Sequence, residues 1–215
     1  MNLLISKDGT IWLARDSDIE NCGNADYSCY SETSDNELIK LDSCNGNSVS
    51  LTKLEEVFKL MSSDFSGKYV VLDVKAWNPC SIGSLNIIKA MNILADEIIR
   101  LTKKYNLQNF VMVESETGTF LTHIKENSTG IEQYLIAFGD FERGVGVALE
   151  YGYSGISFEY KFKEEITPES IYLLRKKGLK IHLWTVNDKK EIDEAISINP
   201  DFIQSDNIDY YKTKL

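Results

Sequence analysis

The architecture of this chain is clearest in GLKIHLWTVNDKKEIDEAISINPDFIQSD, residues 178–206. An apolar, β-branched run over residues 180–186 predicts a strand, and the Asn-Asp pair that follows is typical of a helix start. Residues 188–198 have the apolar spacing of an amphipathic helix, and a short strand is predicted over 202–205. A strand, a helix and a second strand in this order indicate one repeat of a parallel α/β sheet.

The same alternation extends upstream through most of the chain. Further strands are predicted over residues 3–5, 10–14, 69–75, 109–114, 133–138 and 155–158. Further helices are predicted over residues 51–61, 84–105, 119–126, 141–151 and 167–177. Residues 16–50 are rich in Asp, Asn, Ser and Gly without a period, which indicates a long loop. We therefore predict a single domain over residues 1–215, with 16–50 as a loop excursion.

Seven or eight strands fit either an open doubly wound sheet or a (β/α)8 barrel. No glycine-rich phosphate loop follows the first strand, as a nucleotide-binding open sheet would usually show. In the strand at 69–75, one face is apolar, whereas the other face ends in Asp73 and Lys75. In a barrel, the apolar face would contact the helices and the polar pair would lie at the carboxyl-terminal mouth. We predict the α/β class with a (β/α)8 TIM-barrel-like fold.

Charge and hydropathy limit the partners. The formal charge is −10, so the phosphate backbone of a nucleic acid would be repelled. No apolar run reaches the roughly 18 residues that a membrane-spanning helix needs. The first residues lack the basic and apolar regions of a signal peptide, which slightly favours a cytoplasmic location while leaving the compartment unknown.

The four cysteines at 22, 29, 44 and 80 fit no zinc signature. In a cytosolic protein we expect them to be reduced thiols, whereas an exported protein could form a disulfide between them.

Four parts of the chain carry a family likeness, and they occur in order. They are SKDG and LARD at 6–9 and 13–16, TKLEEV at 52–57, VLDVK at 71–75, and WTVN at 184–187 followed by Asp206. They are similar to the Thr-Lys-Asp-Gly and His-Asp, Pro-Thr-Leu-Glu-Glu, Ile-Glu-x-Lys and closing Trp-Thr-Val-Asn segments of the glycerophosphodiester phosphodiesterases. This resemblance covers nearly the whole chain and implies a common fold and ancestry.

The resemblance implies metal-assisted hydrolysis of glycerophosphodiesters to sn-glycerol 3-phosphate and an alcohol, a reaction of lipid metabolism. Such chemistry uses a divalent cation, here Mg²⁺ or Ca²⁺, to neutralise the phosphate, and two histidines as acid and base. The catalytic positions of the family correspond to Arg15 and Lys75. A metal ligand corresponds to Asp73, and Glu114 is a further candidate at a strand end.

Two more candidates, His182 and Trp184, share one face of the predicted strand at 180–186 and could form a substrate-binding wall. The implied ligand is a small phosphodiester or sugar phosphate.

Several positions depart from the family pattern. Arg15 replaces a histidine and cannot act as a base, because its guanidinium does not deprotonate in proteins. Asp73 is one methylene shorter than the family's glutamate, and Asn2 stands where the family has a metal-binding aspartate. The opening His-Arg-Gly strand has no counterpart, so we expect the first βα unit to be missing or atypical. These departures predict a catalytically degenerate family member.

Two other functions remain open. The chain could be a non-catalytic binding module for a phosphorylated or sugar ligand, with Arg15, Lys75 and Trp184 at the mouth. It could also be an active enzyme completed by His182 or by a partner chain in a homo-oligomer. Each residue also has a structural explanation: an Asp73–Lys75 ion pair, a core position for His182 and a solvated loop for Glu114.

Overall fold

The computed structural model describes residues 1–14, 29–41, 43–44, 47–48, 51–63, 67–75 and 84–214. The chain divides into two compact units, Met1–Ile131 and Glu132–Leu215.

The first unit contains two kinds of sheet. The strands β1 (Leu3–Ile5), β2 (Ile11–Leu13) and β5 (Thr52–Lys53) form an antiparallel sheet in the order β1-β2-β5, and β3 (Ser43–Cys44) pairs with β4 (Asn47–Ser48). The strands β6 (Val70–Asp73) and β7 (Val111–Ser115) pair in parallel. The helices are α1 (Asp35–Leu38), α2 (Leu54–Ser63), α3 (Ser84–Lys104) and α4 (Gly118–Asn127).

The second unit is a run of βα repeats. Its parallel strands are β8 (Glu132–Ala137), β9 (Gly155–Glu159), β10 (Lys180–Trp184) and β11 (Phe202–Ile203), adjacent in that order. Its helices are α5 (Phe141–Tyr151), α6 (Pro168–Lys176), α7 (Lys189–Ile198) and α8 (Ile208–Lys212).

Local sequence explains where these helices begin and end. The Asp188 carboxylate accepts hydrogen bonds from the backbone N–H groups of Lys190 and Glu191 and so caps α7. Pro168 occupies the first turn of α6, where the missing N–H costs nothing. Gly152 ends α5 at φ 62°, a left-handed conformation that glycine adopts without strain.

The strands and helices predicted outside residues 16–50 all occur, with their boundaries shifted by a few residues. The short elements α1, β3, β4, β5 and α8 were not predicted. Runs of two to five residues contain too little periodicity to be recognised. The signal for α1 lay in Ser34 and Glu37, which form a capping box across its first turn.

Cys29 is disulfide-bonded, so the expectation of reduced thiols is wrong for this residue. Among the described residues, no helix combines the length and apolar character needed to cross a membrane.

Candidate functional site

The alternation of β6 brings polar side chains to one face of the first unit. Val70, Leu72 and Val74 are buried on one side of the strand, as predicted, which leaves Asp73 and Lys75 on the other. Asp73 lies opposite Glu114 in the parallel register of β6 and β7.

The same row of residues extends to the beginning of the chain. Asn2 forms an isolated parallel bridge with Asp73, on the side of β6 away from β7. Residues in register on neighbouring strands have side chains on the same face of a sheet. An amide and two carboxylates, from Asn2, Asp73 and Glu114, therefore lie in one row.

Lys75 and the ammonium of Met1 contribute positive charge to this row. Lys75 Nζ lies 2.8 Å from Asp73 Oδ1, and the side chains are 33% and 20% exposed, respectively. The geometry is not that of a directed hydrogen bond, and among the described residues Asp73 Oδ1 has no hydrogen-bond partner. The Asp73–Lys75 ion pair, which the sequence allowed as an alternative, is thus present. One oxygen of the Asp73 carboxylate nevertheless lacks a hydrogen bond from any described residue, so this carboxylate is incompletely satisfied.

Burial raises the pKa of Asp73 above its usual value, and the negative charge of Glu114 raises it further. The ammonium groups of Lys75 and Met1 act in the opposite direction, but the net shift of the Asp73 pKa is upward. Glu114 itself is only 4% exposed. Two neighbouring carboxylates in a partly buried place favour a positively charged or hydrogen-bond-donating ligand.

The predicted metal ligands, Asp73 and Glu114, are fewer than the donors that a hard cation requires. Mg²⁺ and Ca²⁺ are held by six or more oxygen ligands, of which proteins commonly supply several carboxylates. Within the part of the chain that the structure describes, no group of three or more His, Cys, Asp or Glu side chains could hold a metal ion. Asp73 is moreover paired with Lys75. The described residues do not fit such an ion by themselves, and a ligand role for Asp73 and Glu114 stays a prediction.

Arg15, the predicted replacement for a catalytic histidine, lies outside the described residues.

His182 lies in the second unit, inside the sheet. It is 3% exposed, its Nδ1 is 3.2 Å from the hydroxyl of Ser157, and its ring meets Phe202 edge-on. Ser157 is the residue opposite His182 in the register of β9 and β10 and is fully buried. These contacts support the core position that the sequence left open for this histidine.

Trp184 ends β10 two residues further along the same face. Its ring is half-buried and meets the ring of Phe138 edge-on, with the centroids 6.1 Å apart. Phe138 is 55% exposed, and Trp184 Nε1 is buried without a hydrogen-bond partner among the described residues. A ligand-contacting role for Trp184 stays a prediction.

Sequence reasoning missed a charged pair beside this wall. Glu159, the last residue of β9, lies opposite Trp184 in register and is paired with Lys161 at 2.6 Å. A polar residue at a strand end was the signal that identified Asp73, and the same signal was present at Glu159.

Comparison with known proteins identifies the family. The model of the glycerophosphoryl diester phosphodiesterase family matches residues 2–210. The chain belongs to this family. A search of curated proteins finds no match to this chain.

Solved structures of glycerophosphodiester phosphodiesterases show the same fold. The enzyme from Parabacteroides distasonis has a TM-score of 0.78 and 18% identity, over 99% of this chain and 81% of its own. The enzyme from Thermotoga maritima has a TM-score of 0.71 and 20% identity, over 100% and 83%. A phosphodiesterase from Oleispira antarctica, in complex with the product sn-glycerol 3-phosphate, has a TM-score of 0.77 and 16% identity, over 99% and 82%. The predicted α/β fold of the TIM-barrel type is confirmed.

The phosphodiesterase mechanism expected from the sequence needs two histidines, and this chain has two, His123 and His182. His123 lies on α4, where its Nε2 is 2.7 Å from the carboxylate of Asp96 on α3. His182 is buried in the sheet of the second unit. Each histidine is thus engaged in contacts between neighbouring elements of its own unit.

Proposed function

We propose that this chain is a glycerophosphodiester phosphodiesterase-like protein that binds a small phosphorylated ligand of the glycerol phosphate type and has lost hydrolysis. The phosphate would be bound through Lys75, and the glycerol hydroxyl groups would donate hydrogen bonds to Asp73.

The placement of the two histidines is the observation that carries this proposal. A general acid or base must reach the reacting oxygen within hydrogen-bond distance or through one water. His182 is 3% exposed and His123 is paired with Asp96, so both are engaged in contacts with neighbouring elements. Arg15 stands at the histidine position of the family motif and remains protonated at any physiological pH.

Lys75 supports the binding part of the proposal. A lysine ammonium binds phosphate as a point charge and needs no metal to do so. One third of the Lys75 side chain is exposed, and its partner carboxylate is incompletely satisfied. A glycerol phosphate can therefore replace part of this ion pair. Its phosphate binds the ammonium of Lys75, and its hydroxyl groups donate hydrogen bonds to the carboxylate of Asp73.

A second candidate function is metal-dependent hydrolysis, as in an active phosphodiesterase. The observation in its favour is the pair of carboxylates, Asp73 and Glu114, that face each other across β6 and β7. The raised pKa of Asp73 means that a cation bound there would relieve an unfavourable charge. This candidate requires further ligands and an acid–base pair that the described residues do not provide.

Calorimetric titration with sn-glycerol 3-phosphate in the presence of chelator tests the binding proposal. We expect wild-type protein to bind without metal, and Lys75→Ala to weaken binding by about tenfold, because a charge-assisted contact is lost. Lys68→Ala is the matched control, since Lys68 is exposed and precedes the same strand. Binding that requires Mg²⁺ or Ca²⁺, or equal affinities for the two variants, would contradict the proposal.

A further inference from the structure

A cavity of about 300 Å³ lies in the first unit. Its lining does not include Asp73 or Glu114. One wall is the turn between β1 and β2, which contributes Ile5, Lys7 and Gly9. The other wall is the first half of α3, which contributes Lys89, Ala90 and Ile93. Its volume is at the lower end of the range of small-molecule sites.

The two lysines give this cavity a positive charge in an acidic protein. The chain carries a formal charge of −10, yet among the described residues neither Lys7 nor Lys89 forms an ion pair. Asp8, the acid next to Lys7 in the chain, is already engaged. Asp8 accepts a hydrogen bond from the backbone of Asp35 at 2.7 Å, and Asp35 in turn is paired with Lys53.

The rest of the lining consists of Ser6, Ser31 and an open apolar surface. Ile5 and Ala90 are half-buried, and Ile93 is 44% exposed, so apolar surface remains in contact with water. A Cβ atom built on Gly9 would meet nothing within 4 Å, so the turn leaves the space beside it free. An apolar chain that covers Ile5, Ala90 and Ile93 would remove this surface from water.

We propose that this cavity binds an organic anion with a short apolar chain. The anionic head group lies between the ammonium groups of Lys7 and Lys89, and the chain lies on Ile5, Ala90 and Ile93. Alkyl phosphates and fatty carboxylates share this chemistry. The site is separate from the proposed phosphate site at Lys75 and does not depend on it.

Site-resolved NMR titration tests the ligand class with four probes. Octyl phosphate and octanoate represent the two sources of the anion, octanol lacks the charge, and inorganic phosphate lacks the chain. We expect at least one of the two anions to shift the backbone amides of Gly9 and Ala90. Octanol and inorganic phosphate should bind about tenfold more weakly, because each loses one of the two interactions. Binding by neither anion, or binding of octanol as tight as that of the anions, would overturn the proposal.

Variants of the two walls test the site itself. Lys89→Ala should weaken octyl phosphate binding by about tenfold, whereas Lys103→Ala, an exposed lysine further along α3, should change it less than about twofold. Ala90→Phe should fill the cavity and abolish binding, with thermal melting as the check on folding. Lys75→Ala should leave the Gly9 and Ala90 shifts unchanged, which separates this site from the proposed function. Equal effects of Lys89→Ala and Lys103→Ala would show that general charge alone is responsible and would refute the proposal.

Discussion

Two aspartates of the first unit, Asp35 and Asp73, differ in how completely the protein satisfies them. Asp35 accepts hydrogen bonds from Ser6 Oγ at 2.7 Å, Thr10 Oγ1 at 2.5 Å and Trp12 Nε1 at 3.0 Å, and is paired with Lys53. Asp73 has the ammonium of Lys75 at 2.8 Å and the carboxylate of Glu114 opposite.

Their pKa values shift in opposite directions for this reason. Burial tends to raise the pKa of Asp35, but the hydrogen bonds from Thr10, Ser6 and Trp12 outweigh it and lower the pKa below its ordinary value. Burial raises the pKa of Asp73 and is not outweighed.

The comparison separates a structural carboxylate from a candidate ligand-binding one. Asp35, the first residue of α1, accepts a hydrogen bond from Trp12 of β2. It lies beside a small core that consists of Trp12, Tyr30, Leu38 and Leu41. Its ionised form is stabilised by the protein itself, so no ligand is needed. At Asp73 the ionised form is costly, and a ligand that donates hydrogen bonds or positive charge would stabilise it.

The largest expected effect is that of reducing the disulfide bond of Cys29. This residue precedes Tyr30, a member of the small core beside Asp35. Reduction should lower the free energy of unfolding by about 2–4 kcal/mol, because the unfolded chain gains conformational freedom. Urea unfolding with and without reductant measures this change. A loss of less than about 1 kcal/mol would mean that this segment is held by its other contacts alone.

Asp35→Ala should lower the free energy of unfolding by about 2–3 kcal/mol, because it leaves the indole N–H of Trp12 and two hydroxyls without their charged acceptor. Asp96→Ala is the matched control. Its carboxylate is 66% exposed and pairs with His123, so the change should stay within about 0.5 kcal/mol. Equal effects of the two substitutions in urea unfolding would contradict a structural role for Asp35.

Substitution by Asn should lower the free energy of unfolding at Asp35 but not at Asp73. Asp73→Asn removes a carboxylate whose burial is unfavourable, so we expect stability at neutral pH to stay unchanged or rise by up to about 1 kcal/mol. Asp35→Asn should lower it, because the amide loses the charge that Lys53 and the three donors stabilise. Chemical unfolding of both variants at pH 7 measures the difference, and a clear loss of stability in Asp73→Asn would remove the distinction.

The smallest effects concern pH. Because the folded pKa of Asp35 lies below its ordinary value of 3.8, its stabilisation is complete above pH 3.8 and is lost as the pH falls through the folded pKa. The folded pKa of Asp73 lies above 3.8, so its contribution to stability increases as the pH falls from that pKa towards 3.8. The free energy of unfolding of the wild type minus that of each Asn variant, measured as a function of pH, should show these opposite slopes. Parallel slopes would contradict the two pKa shifts.

Much of the fold could be predicted from the sequence because the long elements repeat their apolar residues with clear periods. The 21-residue helix α3 and the strands of the second unit are examples. Asp73 and Lys75 could be placed on one face by strand alternation alone. The structural importance of Asp35 could not be predicted, since its donors come from Ser6, Thr10 and Trp12 in a different segment. The sequence left the core position of His182 open as one alternative, because the contacts that decide it come from Ser157 and Phe202 on neighbouring strands.

The proposed loss of hydrolysis is tested most directly by measuring the release of sn-glycerol 3-phosphate from glycerophosphodiesters. Mg²⁺, Ca²⁺ or chelator would be present, with Asp73→Ala measured alongside. We expect no release above the Asp73→Ala background under any of these conditions, because both histidines are engaged in structural contacts. Turnover that requires a metal and disappears in Asp73→Ala would contradict the proposal and would make this chain an active phosphodiesterase.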